Sequence, residues 1–345
     1  AIENVSGEVD IEDLIPEETC MYTYTTMGYI KRQPVDLFAT QHRGGRGVKG
    51  MTRREDDYAE TMFIASSHDS IMFYTTRGRA YRLKGYEIPE GSKTSKGTNI
   101  VNILPLENGE KVSAMIRVPE FGEDNYYLCM LTRNGIIKRT ELDAYKNVRK
   151  NGVIAINLDD DDELVWVKLT EGGENLIIAT KKGMSIAFRE DDARVIGRTA
   201  RGVRALKLKE GDCVVGMDIL SEGKKVLTVS ETGYGRLSEI TDYRLQNRGG
   251  SGLTNYHVAK YGDVAAIEVV NPEDDLMLIS SDGIIIRIPM EAIRLCARPS
   301  KGVRVMKVTE GEKLITAVAV PREEGEAHDE VPADEGGAED GAEEN

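Results

Sequence analysis

Apolar residues recur along the chain in short runs that alternate with polar ones and stop at glycine-containing turns, a period of two that predicts β-strands. The stretch from Lys225 to Val270 shows the pattern: KVLTVS, a turn ending at Gly233, YGRLSEI, a basic loop ending at Gly252, LTNYHV, a turn around Tyr261 to Asp263, and VAAIEVV. Four short strands are predicted from it. The first turn carries NG at Asn134-Gly135 and DG at Asp282-Gly283 in other parts of the chain, dipeptides suited to the positive φ of hairpin turns. A later turn recurs as NGE at Asn108 to Glu110, EGD at Glu210 to Asp212, YGD at Tyr261 to Asp263 and EGE at Glu310 to Glu312, with acidic stretches at Glu55 to Asp57 and Asp159 to Glu163 in its place elsewhere.

The strand pattern is copied six times. Gly47, Gly97, Gly152, Gly202, Gly252 and Gly302 are separated by 50, 55, 50, 50 and 50 residues, and Gly28, Gly78, Gly135, Gly183, Gly233 and Gly283 precede them by 19 residues, or 17 in the third pair. Residues around Glu120 to Asn125 account for the longer interval. Four short strands cannot bury a face alone, so successive sheets must stack, and a period near fifty predicts a closed ring. The expected fold is all-β with six four-stranded blades at about 20–67, 68–118, 119–170, 171–220, 221–271 and 272–320, preceded by an acidic linker over 1–19. Residues 321–345 have almost no apolar content and are expected to form a disordered acidic tail.

Composition agrees with short strands: 35 glycines and 6% aromatic residues. No apolar run is long enough to span a bilayer and nothing at the start has the form of a signal peptide, which predicts a cytoplasmic protein with no membrane partner. Cys20, Cys129, Cys213 and Cys296 form no CxxC pair and suggest neither a zinc site nor a disulfide framework. His42, His68, His257 and His328 are scattered and make no ligand cluster or nucleophilic triad. The net charge of −14 resides in the ends: residues 1–19 carry −7 and residues 321–345 carry −10, leaving 44 Lys and Arg against 41 Asp and Glu, net +3, between them. The body's partner therefore depends on where its cations cluster.

They cluster around the second glycine set. The first unit has Arg43, Arg46 and Lys49; the second Lys93 and Lys96; the third Arg149 and Lys150; the fourth Arg198, Arg201 and Arg204; the fifth Arg248; the sixth Arg298, Lys301 and Arg304. Any one of these reads as ordinary solvated surface, but recurrence at one register of a ring predicts a cationic rim that can hold a bent polyanion. Without interleaved aromatics or an RNA module, duplex DNA gripped by its phosphates fits better than RNA. The first unit's loop, Gln41-His42-Arg43-Gly44-Gly45-Arg46-Gly47, combines guanidinium forks with glycines that permit close backbone approach to phosphate. Gln246-Asn247-Arg248-Gly249-Gly250-Ser251-Gly252 is a partial echo, and no GxxxxGK[ST] element is present.

QHRGGRG closely resembles the gyrase A box, QRRGGRG or QRRGGKG, of the C-terminal domain of the DNA gyrase A subunit, with His42 at a position where the family has Arg. The six units resemble that domain's blades over about 20–320, and DIEDLIPEE resembles the segment leading in from the catalytic region. The resemblance implies a six-bladed β-pinwheel in which neighbouring blades exchange a strand. It also implies binding, bending and wrapping of duplex DNA around the rim, which presents the transported segment to the gyrase core for ATP-dependent negative supercoiling, with Gln41, Arg43, Gly44, Gly45, Arg46 and Gly47 needed to complete the wrap. This chain itself is expected to be a non-catalytic, monomeric part of a type II topoisomerase, with no cofactor of its own; ATP and Mg belong elsewhere in the holoenzyme. Its expected partners are DNA, the remainder of the gyrase A subunit and the gyrase B subunit, at the nucleoid. The related domain of the topoisomerase IV A subunit, which has fewer or irregular blades and a degraded box, and a protein-binding propeller of the kelch type are the alternatives.

Overall fold

The computed structural model describes residues 11–25, 27–34, 57, 59–92, 95–122, 125–148, 150–282 and 284–320. The heptapeptide at 41–47 and the acidic tail lie outside them. The described residues form a six-bladed β-propeller: five four-stranded antiparallel sheets, one three-stranded sheet and short helical turns. In the fourth unit, Asn175–Thr180 and Met184–Arg189 make the hairpin, and Val214–Leu220 pairs with the other side of Asn175–Thr180.

The fourth strand of that sheet comes from the next unit. Leu253–Thr254 pairs with Met184 and Ser185, and Thr98–Asn99, Val153–Ile154, Val203–Arg204 and Val303–Arg304 are exchanged in the same way. The strand exchange implied by the resemblance is therefore present. The predicted strand LTNYHV is only two residues long. Directly after Thr254, the N–H groups of Asn255 and Tyr256 both donate to the carbonyl of Gly183, at 2.7 and 3.0 Å, so the chain leaves the ladder to plug the neighbouring hairpin turn. Asn255 and Tyr256 are buried there, and Val258–Tyr261 closes the excursion with one turn of helix.

Each hairpin's first strand is buried on both faces, so it reads as a nearly continuous apolar run rather than an alternating one. In Leu176-Ile177-Ile178-Ala179 all four residues are fully buried. Leu176 and Ile178 pack with Cys129 and Leu131 of the preceding sheet. Ile177 and Ala179 pack with Val226 of the following one. Each large side chain buried between blades contributes about 1.5–3 kcal/mol, and the second to fifth blades each share their core with both neighbours.

The last strands of successive units contact one another, as Val214–Leu220 does Val264–Val270 and Val264–Val270 does Leu314–Val320. They line the axis. The exchanged strands, at the opposite edge of each sheet, form the outer rim. Acidic residues of the later turns have a local structural role: Asp57, Asp162 and Asp212 accept the N–H of Met27, Asn134 and Lys182 at 3.0, 3.0 and 2.9 Å, fixing each hairpin turn against its inner strand.

Two inner-strand carboxylates link blades. Asp218 accepts the N–H of Val269 at 2.7 Å and Glu268 accepts that of Ala319 at 3.1 Å, while Lys168 pairs with Asp218 at 3.0 Å. Protein packed around Glu268, reinforced by the Asp218 carboxylate and opposed by Lys168, pushes its carboxyl up from 4.5 to about 7. The folded state thus holds a proton that the unfolded chain has released, so the stability Glu268 contributes is complete below the ordinary carboxylate range and declines as pH rises through about 7. Glu268→Gln, which can still accept from Ala319, is expected to gain about 1–3 kcal/mol over the parent at pH 8 relative to pH 4.5. Urea unfolding at the two pH values checks this; an equal difference at both would contradict it.

Candidate nucleic-acid interface

Among the described residues, the rim of each of the first five blades is built by the segment of the next unit that surrounds its second glycine. In the fifth unit, Leu245 forms a parallel bridge with Ala187 and Leu253–Thr254 pairs antiparallel with Met184 and Ser185. The intervening loop therefore stands at the outer edge of the fourth blade. Gly252 sits where this loop rejoins the ladder, with φ +74° and no room for a Cβ against the carbonyl of Ser185. The strict glycine recurrence marks the point where one unit's backbone closes onto its neighbour's.

Measured from that glycine, the predicted cations fall into registers with different surroundings. Four residues before it stand Arg198, Arg248 and Arg298. Each donates to a carbonyl of the preceding unit's exchanged strand: Arg198 to Ile154 at 2.6 Å, Arg248 to Arg204, and Arg298 to Thr254 at 2.7 Å. Arg248 and Arg298 donate a second time, to the carbonyls of Asp192 and Asp242 at 3.0 and 2.8 Å. These side chains clamp adjacent rim segments together; their charge remains on the rim, but much of their hydrogen-bonding capacity is directed at protein.

One residue before the glycine, Arg201 makes a two-pronged ion pair with Asp159, which raises its pKa and lowers that of Asp159 through the shared hydrogen bonds. Lys96 lies over the Tyr29 ring at 4.8 Å and Lys301 over the Tyr234 ring at 3.7 Å, cation–π seats that hold an ammonium at the surface. Two residues after the glycine, Arg204 is exposed, and Arg304 donates to the Tyr234 hydroxyl at 2.7 Å. Arg304 first, then Lys301, hold the Tyr234 phenol below its ordinary pKa. Lys150 is exposed. Gln41, Arg43, Gly44, Gly45, Arg46, Gly47, Lys49, Lys93 and Arg149 lie outside the described residues.

Beneath these loops is a set of cations that reading the sequence missed. Lys31, Lys138 and Arg236 each stand three residues after a hairpin glycine and are buried. Lys31 donates to the carbonyls of Ser92 and Ser95, both at 3.0 Å. Lys138 donates to those of Ala155 and Arg198, and Arg236 to those of Asn255 and Ser300 at 2.7 and 3.2 Å. Burial lowers the pKa of Lys31, and burial together with the Arg198 charge pushes Lys138 down to about 7. The available signal was a cation inside an apolar strand at a fixed distance from the hairpin glycine. Among the described residues no group of His, Cys, Asp and Glu side chains is arranged to hold a metal ion, and no helix is long and apolar enough to cross a membrane.

A sequence model described as the DNA gyrase C-terminal domain, β-propeller, matches six stretches of the chain, 25–66, 69–119, 126–171, 174–221, 224–271 and 274–321. The chain is 42% identical over 320 residues to the DNA gyrase A subunit of Staphylococcus epidermidis, covering 92% of this chain and 36% of that protein. It is 45% identical over 327 residues to the DNA gyrase A subunit of Clostridium acetobutylicum, covering 94% and 39%. It thus spans little more than a third of the length of these relatives. Among solved structures it is similar to the C-terminal domain of DNA topoisomerase IV, with a TM-score of 0.74 and 26% identity over 89% of this chain and 94% of that one. It is also similar to the DNA gyrase A C-terminal domain, with a TM-score of 0.72 and 26% identity over 88% and 99%.

Proposed function

The chain belongs to the family of DNA gyrase C-terminal domains, and on that premise we propose that it binds duplex DNA without reading sequence, bends it around the propeller rim and presents the transported segment to the gyrase core for ATP-dependent negative supercoiling. The observation that carries this reading is the exchanged segment, which sets Lys96, Lys150, Arg201, Arg204, Lys301 and Arg304 along the outer edges of successive blades. Bending duplex over a few tens of base pairs costs about 1–10 kcal/mol, so it requires many phosphate contacts spread along the path. Together with Arg248 on the fourth blade, these residues give the rims of the first five blades cations to supply them. The chain acts in this reading as a non-catalytic, cytoplasmic part of gyrase, alongside the rest of the gyrase A subunit and the gyrase B subunit, and residues 321–345 are an acidic tail. The similar solved structures include both gyrase and topoisomerase IV domains; the RGGRG loop at Arg43 to Gly47 and the 42–45% identity to gyrase A subunits favour gyrase.

Ligation of nicked circular DNA in the presence of the chain tests the proposal. Wrapping is expected to shift the linking number of the closed product progressively with protein concentration, and Arg43→Ala with Arg46→Ala is expected to reduce that shift. An unshifted linking number with the parent chain would refute wrapping, and a full shift with the double variant would refute the role given to the loop.

A further inference from the structure

One more cation register lies on the rim segment, eight residues before the second glycine. It holds Arg194, Arg244 and Arg294 in the fourth, fifth and sixth units, whereas the first three units have Ala39, Pro89 and Ala144. The three arginines are exposed. Their backbones are firmly held, because the residue after each bridges the preceding sheet: Val195 to Arg139, Leu245 to Ala187 and Leu295 to Leu237. The adjoining N–H groups of Ile196, Gln246 and Cys296 donate to the carbonyls of Arg139, Ala187 and Leu237 at 2.9, 2.8 and 2.8 Å.

Their side chains, by contrast, have no hydrogen-bond, ion-pair or ring partner among the described residues. This separates them from Arg198, Arg248 and Arg298, four residues further on, which are bonded to carbonyls of the neighbouring unit. It also separates them from Arg201, which is paired with Asp159. A guanidinium on a fixed backbone with all its donors unpaired loses no protein contact when it meets a phosphate, and its fork suits two phosphate oxygens at once. Beside each arginine an aliphatic side chain also reaches solvent, with Val195 39%, Leu245 48% and Leu295 49% exposed. That pairing matches the alternation of phosphate and apolar deoxyribose along a strand edge.

We propose that Arg194, Arg244 and Arg294 form a second row of phosphate contacts, confined to the outer edges of the third, fourth and fifth blades, whereas the first three units have Ala39, Pro89 and Ala144 at the same register. The inference rests on the DNA-binding reading above and adds this row to it.

The test compares the 345-residue chain with the triple variant Arg194→Gln, Arg244→Gln, Arg294→Gln and with the corresponding triple Arg→Lys variant, measuring affinity for a linear duplex across a salt series. Each phosphate contact contributes about −0.9 to the slope of log K against log salt, so loss of the row is expected to make the slope shallower by about 2–3, with the Lys variant retaining the parent slope. Unchanged melting temperatures confirm that the fold is intact, as expected for exposed side chains without partners. If the parent binds with a steep slope and the Gln variant keeps it, the second row is refuted while DNA binding stands. If the parent shows no salt-dependent binding, the DNA reading itself fails. If DNA binding is unaltered but the variant impairs supercoiling in the reconstituted enzyme, the row faces protein, and the proposal is overturned.

Discussion

Replacing Arg236 with alanine is expected to destabilise the propeller by about 3–5 kcal/mol, among the largest losses available from a single side chain here. Arg236 is fully buried. Its guanidinium donates to Ser238 Oγ at 3.0 Å, to Asn255 Oδ1 at 2.8 Å and to the carbonyls of Asn255 and Ser300, and it stands over the Tyr256 ring at 5.5 Å. Asn255 is also bonded to the Tyr243 hydroxyl at 2.8 Å. These groups come from the fifth unit's hairpin, its own rim excursion and the rim loop of the sixth unit. Removing the cation leaves several buried acceptors unpaired at once, each costing about 1–3 kcal/mol if water cannot enter. Arg236→Lys restores charge but not the fork, and is expected to recover only part of the loss. Urea unfolding gives the measurement; a loss below about 1 kcal/mol for the alanine variant would show that the network adds nothing net. Because the Ser300 carbonyl belongs to the loop bearing Arg298 and Lys301, the same variant is also expected to loosen that part of the rim.

The comparison with Lys31 and Lys138 shows what could and could not be read from sequence. All three cations follow a hairpin glycine by three residues, yet nothing in IKRQP or IIKRTE distinguishes a lysine that points under a rim loop from one that points into solvent. The distinction is made by the next unit's loop, some sixty residues away, whose carbonyls reach back over the strand. The glycine recurrence was legible because backbone geometry permits few substitutes at those positions. The exchange of strands had no local signal, since a two-residue strand such as Leu253–Thr254 has no periodicity to detect. The rim cations were legible as a class, but their division was not. Arg198 and Arg204 are equally basic and six residues apart; one clamps a neighbouring carbonyl while the other is exposed. Arg194 shares the same fifty-residue recurrence, but it lies further from the glycine that marks the loop.

The contact between exchanged strand and neighbouring blade can be separated from the cost of backbone strain at a single pair of glycines. Gly302 has φ +81°, and a Cβ there would lie far inside van der Waals contact with the carbonyl of Gly235, with the Arg236 Cβ at 2.8 Å. Gly311 has nearly the same backbone, φ +88°, with nothing within 4 Å of the Cβ position. Gly311→Ala is therefore expected to cost only the left-handed penalty, about 1–2 kcal/mol. Gly302→Ala adds displacement of the exchanged strand Val303–Arg304 from Tyr234 and Gly235, for a total of about 3–5 kcal/mol. Valine at 302, branched at Cβ, is expected to prevent stable closure of the fifth blade. Since Val303–Arg304 is also the anchor of the loop bearing Arg298 and Lys301, the alanine variant should bind duplex DNA with a shallower salt slope even where it remains folded. Equal losses for the two alanine variants in urea would mean that the exchanged strand shifts without penalty. The rim cations would then be borne on a compliant edge, which could not hold stiff duplex along a fixed bent path.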